Sequence, residues 1–545
     1  MESNKLDIPV KQTEEDTQHV EDATHKDVTF VSTLDSIEST KTDYYIWLVA
    51  ITVGVGGFLF GYDTGIISAV LVVLDDDLGH VLISSEKELI TSITSGGAFL
   101  GALAAGFSAD RYGRKLAIDM GCVVFIIGAI VQACSYSLAQ MTVGRFIIGV
   151  GVGSAAMIIP VCIIPLKYPC LTVDQLYIAE VSPAKYRGRM IGLDNMSITG
   201  GQLVAYGLGA GLADISHGWR YMVGLGAVPA IILAICLRFC PESPRQLIFH
   251  GKTEEAARVL SKIFPNATEN QVQEKVQHLT IHIEEALAMT DRGGICRQLK
   301  MLYTVPSNFR ALLVACGLMA MQQFTGYNTL MYYSSTLFGL VGFENPIAVG
   351  TIIAGTGFGC TLVYFVIIDR FGRRFILLST MWGMALFLAL VAVGFHWIPV
   401  KHDLTLEKNV IGWPGYLVLA AMIIFVVFYS LGIGNLAWVS SEIFPIEIRA
   451  LGTMMMTCTC WGGNIVVAST FLTQMENTTP SGAFGFYAAL CFIGWVGVYF
   501  CYPEVKGITL EDIREIFNHG FGVKYARGVQ KEMKRQRAES NEIQA

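Results

Sequence analysis

Charge is what this chain has least of. Only 15% of its 545 residues are Asp, Glu, Lys or Arg, against 53% hydrophobic residues and a mean hydropathy of +0.50. A soluble domain of average make-up carries about 25% charged residues, so this composition excludes one and points to a polytopic membrane protein. The net charge of −7 comes from polar tails and loops such as HVEDATHKD and identifies no partner. The 13 cysteines mostly fall singly inside apolar runs, as at Cys122, Cys236 and Cys316. Their spacing suits neither a metal site nor a disulfide framework, and small packing residues are the favoured reading. No nucleophile–base pair or metal-ligand cluster appears, which argues against an enzyme. No Lys-Ser/Thr follows the glycines of VGVGG and GVGVGS, so a phosphate loop is disfavoured and close helix packing favoured. Residues 1 to 43, rich in Glu, Asp, Thr and Lys, lack the apolar core of a cleavable signal and read as a disordered cytoplasmic tail.

What is present is a series of apolar stretches, each long enough to span a bilayer at about 20 residues. They recur at roughly 46–71, 90–109, 116–136, 140–160, 191–212, 219–239, 310–335, 347–368, 375–396, 412–438, 449–472 and 482–502. The spacing predicts an all-α membrane protein of twelve transmembrane helices. A polar connection, 241–308, separates two halves at 44–240 and 309–503, and its TEEAARVLSKIF and NQVQEKVQHLTIHIEEALAM have the period of amphipathic helices. Residues 504–545 read as a short basic tail. Basic residues gather in alternate connections, around Arg111, Arg114 and Lys115, around Lys185, Arg187 and Arg189, around Arg370, Arg373 and Arg374, and in KEMKRQR. The positive-inside rule then places both termini in the cytosol. The sequon Asn266-Ala-Thr268 falls in the connection on that side, where glycosylation does not reach.

The halves repeat each other. Asp110-Arg-Tyr-Gly-Arg-Lys115 returns as Asp369-Arg-Phe-Gly-Arg-Arg374, and Glu180-Val-Ser-Pro183 with Arg187 returns as Glu442-Ile-Phe-Pro445 with Arg449, at matching places between spans. Two motifs in matching order signal an internal duplication, and paired halves around a central site are how alternating-access transporters are built. Arg111, Arg114, Glu180, Arg187, Arg370, Arg373, Glu442 and Arg449 are the candidate members of cytoplasmic ion-pair clusters that hold an inner gate shut. Simple interfacial anchoring is the alternative for these charges.

With those motifs in view, GYDTG at 61–65, GRFIIGVGVG at 144–153, PESPR at 241–245, QQFTGYN at 322–328 and PEVKG at 503–507 resemble the sugar porter family of the major facilitator superfamily, from Ile46 to Phe517. EKELITSITSGGAFLGAL, GGQLVAYGLGAGL and GIGNLAWVSSEIFP look most similar to its fungal proton-coupled myo-inositol symporters. The resemblance implies a polyol or sugar substrate, no cofactor beyond the proton as coupling ion, no nucleic-acid partner and residence in the bilayer, with the plasma membrane as the expected location. A hexose transporter and a transporter-like receptor are the alternatives; a receptor would carry a long structured cytoplasmic extension.

Asp63 lies inside an otherwise apolar first span, where an ionised carboxylate costs several kcal/mol unless it is paired or protonated. Arg145, isolated in the fourth span, is the candidate cation. In the proton-coupled members that this sequence resembles, the matching pair senses the proton, and facilitative relatives lack the acid. A buried structural pair that never titrates is the alternative. A polyol needs hydrogen bonds of both senses, which amides supply. The positions matching family binding residues are Gln202, Gln322, Gln323, Asn328 and Trp461, with Asn464 and Trp438. Amides that merely join helices would look the same one at a time. Gly357 and Cys460 stand where related sequences often have Asn, so two hydroxyl partners of the family are missing. Gly326-Tyr-Asn328 is expected to loosen the seventh helix, as a gate requires.

One segment does not fit. Relatives run from the proline after the fourth span straight into Leu-Tyr-Ile-Ala-Glu, which would join Pro160 to Leu176 and leave VCIIPLKYPCLTVDQ, 161–175, as surplus. As helix it would add about 22 Å, and Pro165 and Pro169 oppose continuous helix. Val-Cys can be encoded by GTNTGY, Leu-Thr by CTNAC and Gln by CAG, the start, branch site and end of a fungal intron. The segment reads as a translated intron whose length kept the reading frame, against a genuine lineage-specific insertion.

Overall fold

The computed structural model describes residues 44–112, 114–156, 184–291, 294–367, 371–400, 412–445, 448–505 and 515–544, with Leu404 and Leu406. Among the described residues, each of the twelve apolar stretches falls on one helix or on two in succession. In the first half these are α1 (Tyr44–Val73), α2 (Ser84–Tyr112), α3 (Arg114–Ala133), α4 (Leu138–Ala156), α5 (Ala184–Leu212) and a sixth span divided into α6 (Gly218–Gly224) and α7 (Ala227–Phe239). The connection folds as α8 (Pro244–Phe249), α9 (Thr253–Ile263), α10 (Glu269–Asp291) and α11 (Gly294–Thr304). The second half holds α12 (Pro306–Phe324) and α13 (Tyr327–Val341), α14 (Pro346–Ile367), α15 (Arg373–His396), α16 (Trp413–Leu431) and α17 (Ile433–Val439), α18 (Arg449–Thr478) and α19 (Pro480–Cys501). A last helix, α20 (Val523–Gln544), occupies the basic tail, where the run of charge alone points to no element.

Among the described residues, eight of these spans are long and apolar enough to cross a membrane on their own. Pro306–Val341 passes the same test together with part of α11, from which it turns by 86°. Helices α2 and α5 are more polar, with charged residues at their ends in SSEKE and AKYRGR, and each also packs against the opposite half. Helix α1 packs along α5 and α2 along α4, while α2 meets α18, α5 meets α14 and α1 meets α13 across the halves. Glycines make the closest of these approaches: a methyl on Gly149 would lie 2.2 Å from the Thr94 carbonyl oxygen, and one on Gly153 would lie 2.0 Å from that of Ala98. Those two contacts give the glycines of the fourth span the packing role expected of them.

The connecting helices have their own small core. Leu247, Ile248, Leu260, Ile263, Phe264, Val272 and Val276 bury one another and reach Val49 of α1. Residues 161–175 lie outside the described residues.

Candidate functional site

Asp63 of α1 and Arg145 of α4 meet inside the first half. Arg145 Nη1 donates to Asp63 Oδ1 at 2.7 Å, and Arg145 Nε donates to the Ile90 carbonyl at 3.3 Å. The arginine is 2% exposed and the aspartate 7%. Either charge left alone at that depth costs about 2.5–3.5 kcal/mol. Each neutralises the other, so the pair is the low-energy state of both side chains while Asp63 is ionised.

Between the halves lies a cavity of about 160 Å³. Its wall brings together every residue expected to bind a polyol: Gln202 from α5, Gln322 and Gln323 from α12, Asn328 from α13, Trp438 from α17, and Trp461 and Asn464 from α18. Gln323 Nε2 donates to Gln322 Oε1 and to Cys460 Sγ, both at 3.2 Å, while its Oε1 accepts from Asn328 Nδ2 at 2.5 Å and from Asn464 Nδ2 at 3.3 Å. Gln322 Nε2 donates to the Gly434 carbonyl at 2.7 Å. Asn464 Oδ1 accepts from Ser95 Oγ at 2.9 Å and from the Tyr332 hydroxyl at 3.2 Å, so one amide is held by both halves. Trp461 stands edge-on to Phe60, and its Nε1 is buried with no acceptor among the described residues. An orphaned indole N–H in a polar cavity is a donor waiting for a ligand oxygen. Cys460 substitutes a thiol for an amide in this network. A methyl at Gly357 would sit in ordinary contact with the Tyr327 hydroxyl, 3.4 Å away.

The seventh span breaks where the sequence suggested. Gly326 has φ +81°, a left-handed conformation glycine adopts freely, and α12 ends while α13 begins around it. Thr329 Oγ1 donates to the Gly326 carbonyl at 2.6 Å and Thr325 Oγ1 to that of Gln322 at 2.9 Å, which satisfies backbone groups the break exposes.

Several polar contacts join the halves away from the side at which α1 begins. Thr473 donates to the Glu88 carboxylate twice, from its backbone N at 2.9 Å and its Oγ1 at 2.6 Å. Ser84 donates to Glu476 at 2.5 Å, and Ser68 Oγ accepts from the Ser335 backbone at 3.0 Å. On the same side Asp77 accepts from His217 Nδ1 at 2.8 Å and Trp219 Nε1 at 2.5 Å. Those two donors, with Arg220 nearby, hold its carboxyl below the usual carboxylate range.

Of the gate residues, Glu180 and Arg370 lie outside the described residues, as do the side chains of Arg111, Arg114, Arg187 and Glu442. Arg449 is described: it donates from Nε at 3.2 Å and Nη2 at 3.0 Å to the Phe444 carbonyl, at the start of α18. Arg373 offers its backbone N–H to Glu504 Oε1 at 3.1 Å, and Arg374 its own to Oε2 at 3.0 Å. Arg374 also reaches the end of α19, donating to the carbonyls of Val498 at 3.2 Å, Tyr499 at 2.6 Å and Tyr502. The first half repeats this arrangement more loosely. The Lys115 backbone donates to Glu242 at 3.4 Å, and Lys115 Nζ donates to the carbonyls of Arg238 and Cys240. In each half an acid caps one helix start and a cation caps another helix end, as helix dipoles favour. Glu242, Glu504, Lys115 and Arg374 were not singled out as site residues. The recurrence of Pro-Glu after the sixth and twelfth spans was the available signal.

A polar cavity between two matching six-helix halves, with an ion pair buried inside one of them, defines a secondary transporter of the major facilitator class. The chain belongs to the family described as "Sugar (and other) transporter", whose pattern matches residues 49–517. It is 38% identical over 548 residues to myo-inositol transporter 1 of Saccharomyces cerevisiae, covering 100% of this chain and 91% of that one. It is 42% identical over 492 residues to myo-inositol transporter 2 of Schizosaccharomyces pombe, covering 89% and 84%. Among solved structures it is similar to the partially occluded inward-open form of the xylose transporter XylE from E. coli, with a TM-score of 0.68 and 23% identity over 86% of this chain and 100% of that one. That likeness shows the major facilitator fold. The family and these relatives are transporters, not enzymes.

Proposed function

We propose that the protein is a proton-coupled symporter that imports a polyol, myo-inositol before hexoses, by alternating access across the plasma membrane with both termini in the cytosol. The observation that carries the reading is the 2.7 Å pair of Arg145 and Asp63 inside the first half. A proton arriving on Asp63 removes the negative charge and loosens its hold on Arg145, which keeps the Ile90 carbonyl as partner. Helix α1 carries both Asp63 and Ser68, and Ser68 bonds the opposite half at Ser335. A change in how α1 packs on α4 is thereby felt at the contact between halves. Gln202, Gln322, Gln323, Asn328, Trp438, Trp461 and Asn464 are the proposed substrate ligands, with amides for both hydrogen-bond senses and indole rings for the ring face. The names of the relatives favour myo-inositol.

The closed contacts of Glu88 with Thr473 and Ser84 with Glu476 then belong to the outer gate. Arg111, Arg114, Glu180, Arg187, Arg370, Arg373, Glu442 and Arg449 are proposed for the inner one. The proposed domain division is a cytoplasmic tail at 1–43, halves at 44–240 and 309–503, a helical linker at 241–308 and a C-terminal segment at 504–545. Residues 161–175 are proposed to be a translated intron. Codons lacking GT at the start of that segment or AG at its end remove that idea, and deletion of the segment is expected to raise uptake.

The test is uptake of labelled myo-inositol by cells expressing the protein, measured at several external pH values against unlabelled glucose and xylose. Accumulation that rises with acidity and is competed by inositol in preference to hexoses is expected. Uptake that is indifferent to pH contradicts coupling, and stronger competition by a hexose contradicts the substrate.

A further inference from the structure

Asp194 is the one charged side chain among the described residues that wall the cavity. It lies on α5 two turns before Gln202, on the same face, and α1 makes room for it. A methyl at Gly57 would sit 2.5 Å from Asp194 Oδ1 and 2.8 Å from its backbone oxygen. Unlike Asp63 it has no cation: no described residue donates a hydrogen bond to it or forms an ion pair with it. The nearby acid of α1, Asp63, is engaged by Arg145. A half-buried carboxylate with no protein donor is costly in such a setting unless something that enters the cavity supplies one.

We infer that Asp194 is a specificity-determining residue that accepts hydrogen bonds from hydroxyl groups of the substrate, so that the α1–α5 wall reads hydroxyls as donors. This rests on the reading of the protein as a polyol or sugar transporter. The two walls then differ in kind. The amides of Gln322, Gln323 and Asn328 both give and take hydrogen bonds, whereas an ionised carboxylate only takes them. Two adjacent ring hydroxyls match its two oxygens, and such charge-assisted bonds are the strong ones. A substrate whose hydroxyl is replaced by fluorine keeps size and polarity but cannot donate, so it is rejected at this wall and tolerated better at the amide wall.

The experiment is competition of labelled substrate uptake by a set of monodeoxyfluoro analogues, one per ring position, in the wild type, Asp194→Asn and Asp194→Ala. Wild-type uptake of inositol and glucose is measured first, and the analogues are those of whichever sugar is carried. Failure to carry inositol overturns the substrate assignment, while the glucose series still tests Asp194. In the wild type one or two positions are expected to lose roughly ten- to a hundredfold in affinity on fluorination. In Asp194→Ala that penalty is expected to shrink to within about threefold at those positions and to stay unchanged elsewhere. Asp194→Asn, which keeps the shape, is expected to fall between them and provides the same comparison if the alanine variant does not reach the membrane. A pattern of position penalties identical in the wild type and the variants overturns the inference, whatever the overall uptake.

Discussion

Two short frames, one in each half, show how a repeated sequence serves two ends. Gly61-Tyr-Asp-Thr64 on α1 and Gly326-Tyr-Asn-Thr329 on α13 differ at one atom of one side chain, an oxygen against a nitrogen. In the first half the helix runs through: Thr64 Oγ1 donates back to the Phe60 carbonyl at 2.8 Å, and the Tyr62 hydroxyl donates to that of Met222 at 2.8 Å. Gly61 lets α5 approach so closely that a methyl would lie 1.9 Å from the Ile198 carbonyl oxygen. In the second half the helix breaks at Gly326, Tyr327 stacks on Tyr429 with centroids 3.8 Å apart, and Thr329 caps the break. The charged frame is continuous and buried with its arginine. The neutral frame is bent and opens amides to the cavity. The buried ion pair thus belongs to the first half, while most of the amides that wall the cavity come from the second.

The largest effect is expected from making the two frames alike. Asp63→Asn should reduce accumulation of substrate against its gradient roughly tenfold or more, while exchange of internal for external substrate, read by counterflow, persists. Because the change leaves Arg145 buried without a carboxylate, a cost of about 3–5 kcal/mol is expected in stability. Combining it with Arg145→Gln should restore the thermal midpoint but not accumulation.

The reverse exchange, Asn328→Asp, places a carboxylate 2.5 Å from the acceptor oxygen of Gln323. Loss of that donor should weaken substrate binding about tenfold, measured by competition.

Gly61→Ala and Gly326→Ala separate the two uses of glycine. The first forces α1 from the α5 backbone and should cost about 1–3 kcal/mol, seen as a lower thermal midpoint. The second imposes left-handed strain of roughly 1–2 kcal/mol and should chiefly slow turnover. Equal effects of both on turnover would erase the distinction between a packing glycine and a hinge glycine.

The smallest effect lies outside both frames. The carboxyl of Asp77 is lowered by its bonds to His217 and Trp219, so its contribution to stability is present above its unfolded value and is lost as pH falls through its lower folded value. The tie of Asp77 to His217 and Trp219 therefore survives mild acidity. Asp77→Asn is expected to shift the thermal midpoint at neutral pH by only a degree or two.

The spans, the duplication and the buried pair were legible because each breaks a strong background: apolar runs of bilayer length, motifs recurring in order, and single charges where charge is expensive. Asp194 was not legible. It sits in LDNMSITGGQ, close after Lys185, Arg187 and Arg189, where an acid reads as interfacial. Its spacing puts it on the face of Gln202, but only the packing of α5 on α1 shows that this face borders the cavity. The free N–H of Trp461 is likewise a tertiary fact, since what a side chain fails to bond cannot be read from its neighbours in sequence. The fold of the tail as α20 was missed because KEMKRQR signals charge more loudly than helix.

Asp63 is proposed to take up and release a proton as substrate crosses. The direct measurement is proton uptake by purified protein in liposomes, recorded with an internal pH indicator while inositol is added outside. Internal acidification driven by inositol in the wild type, and absent in Asp63→Asn at matched inositol movement, is the expected result. Equal acidification in that variant would contradict the account.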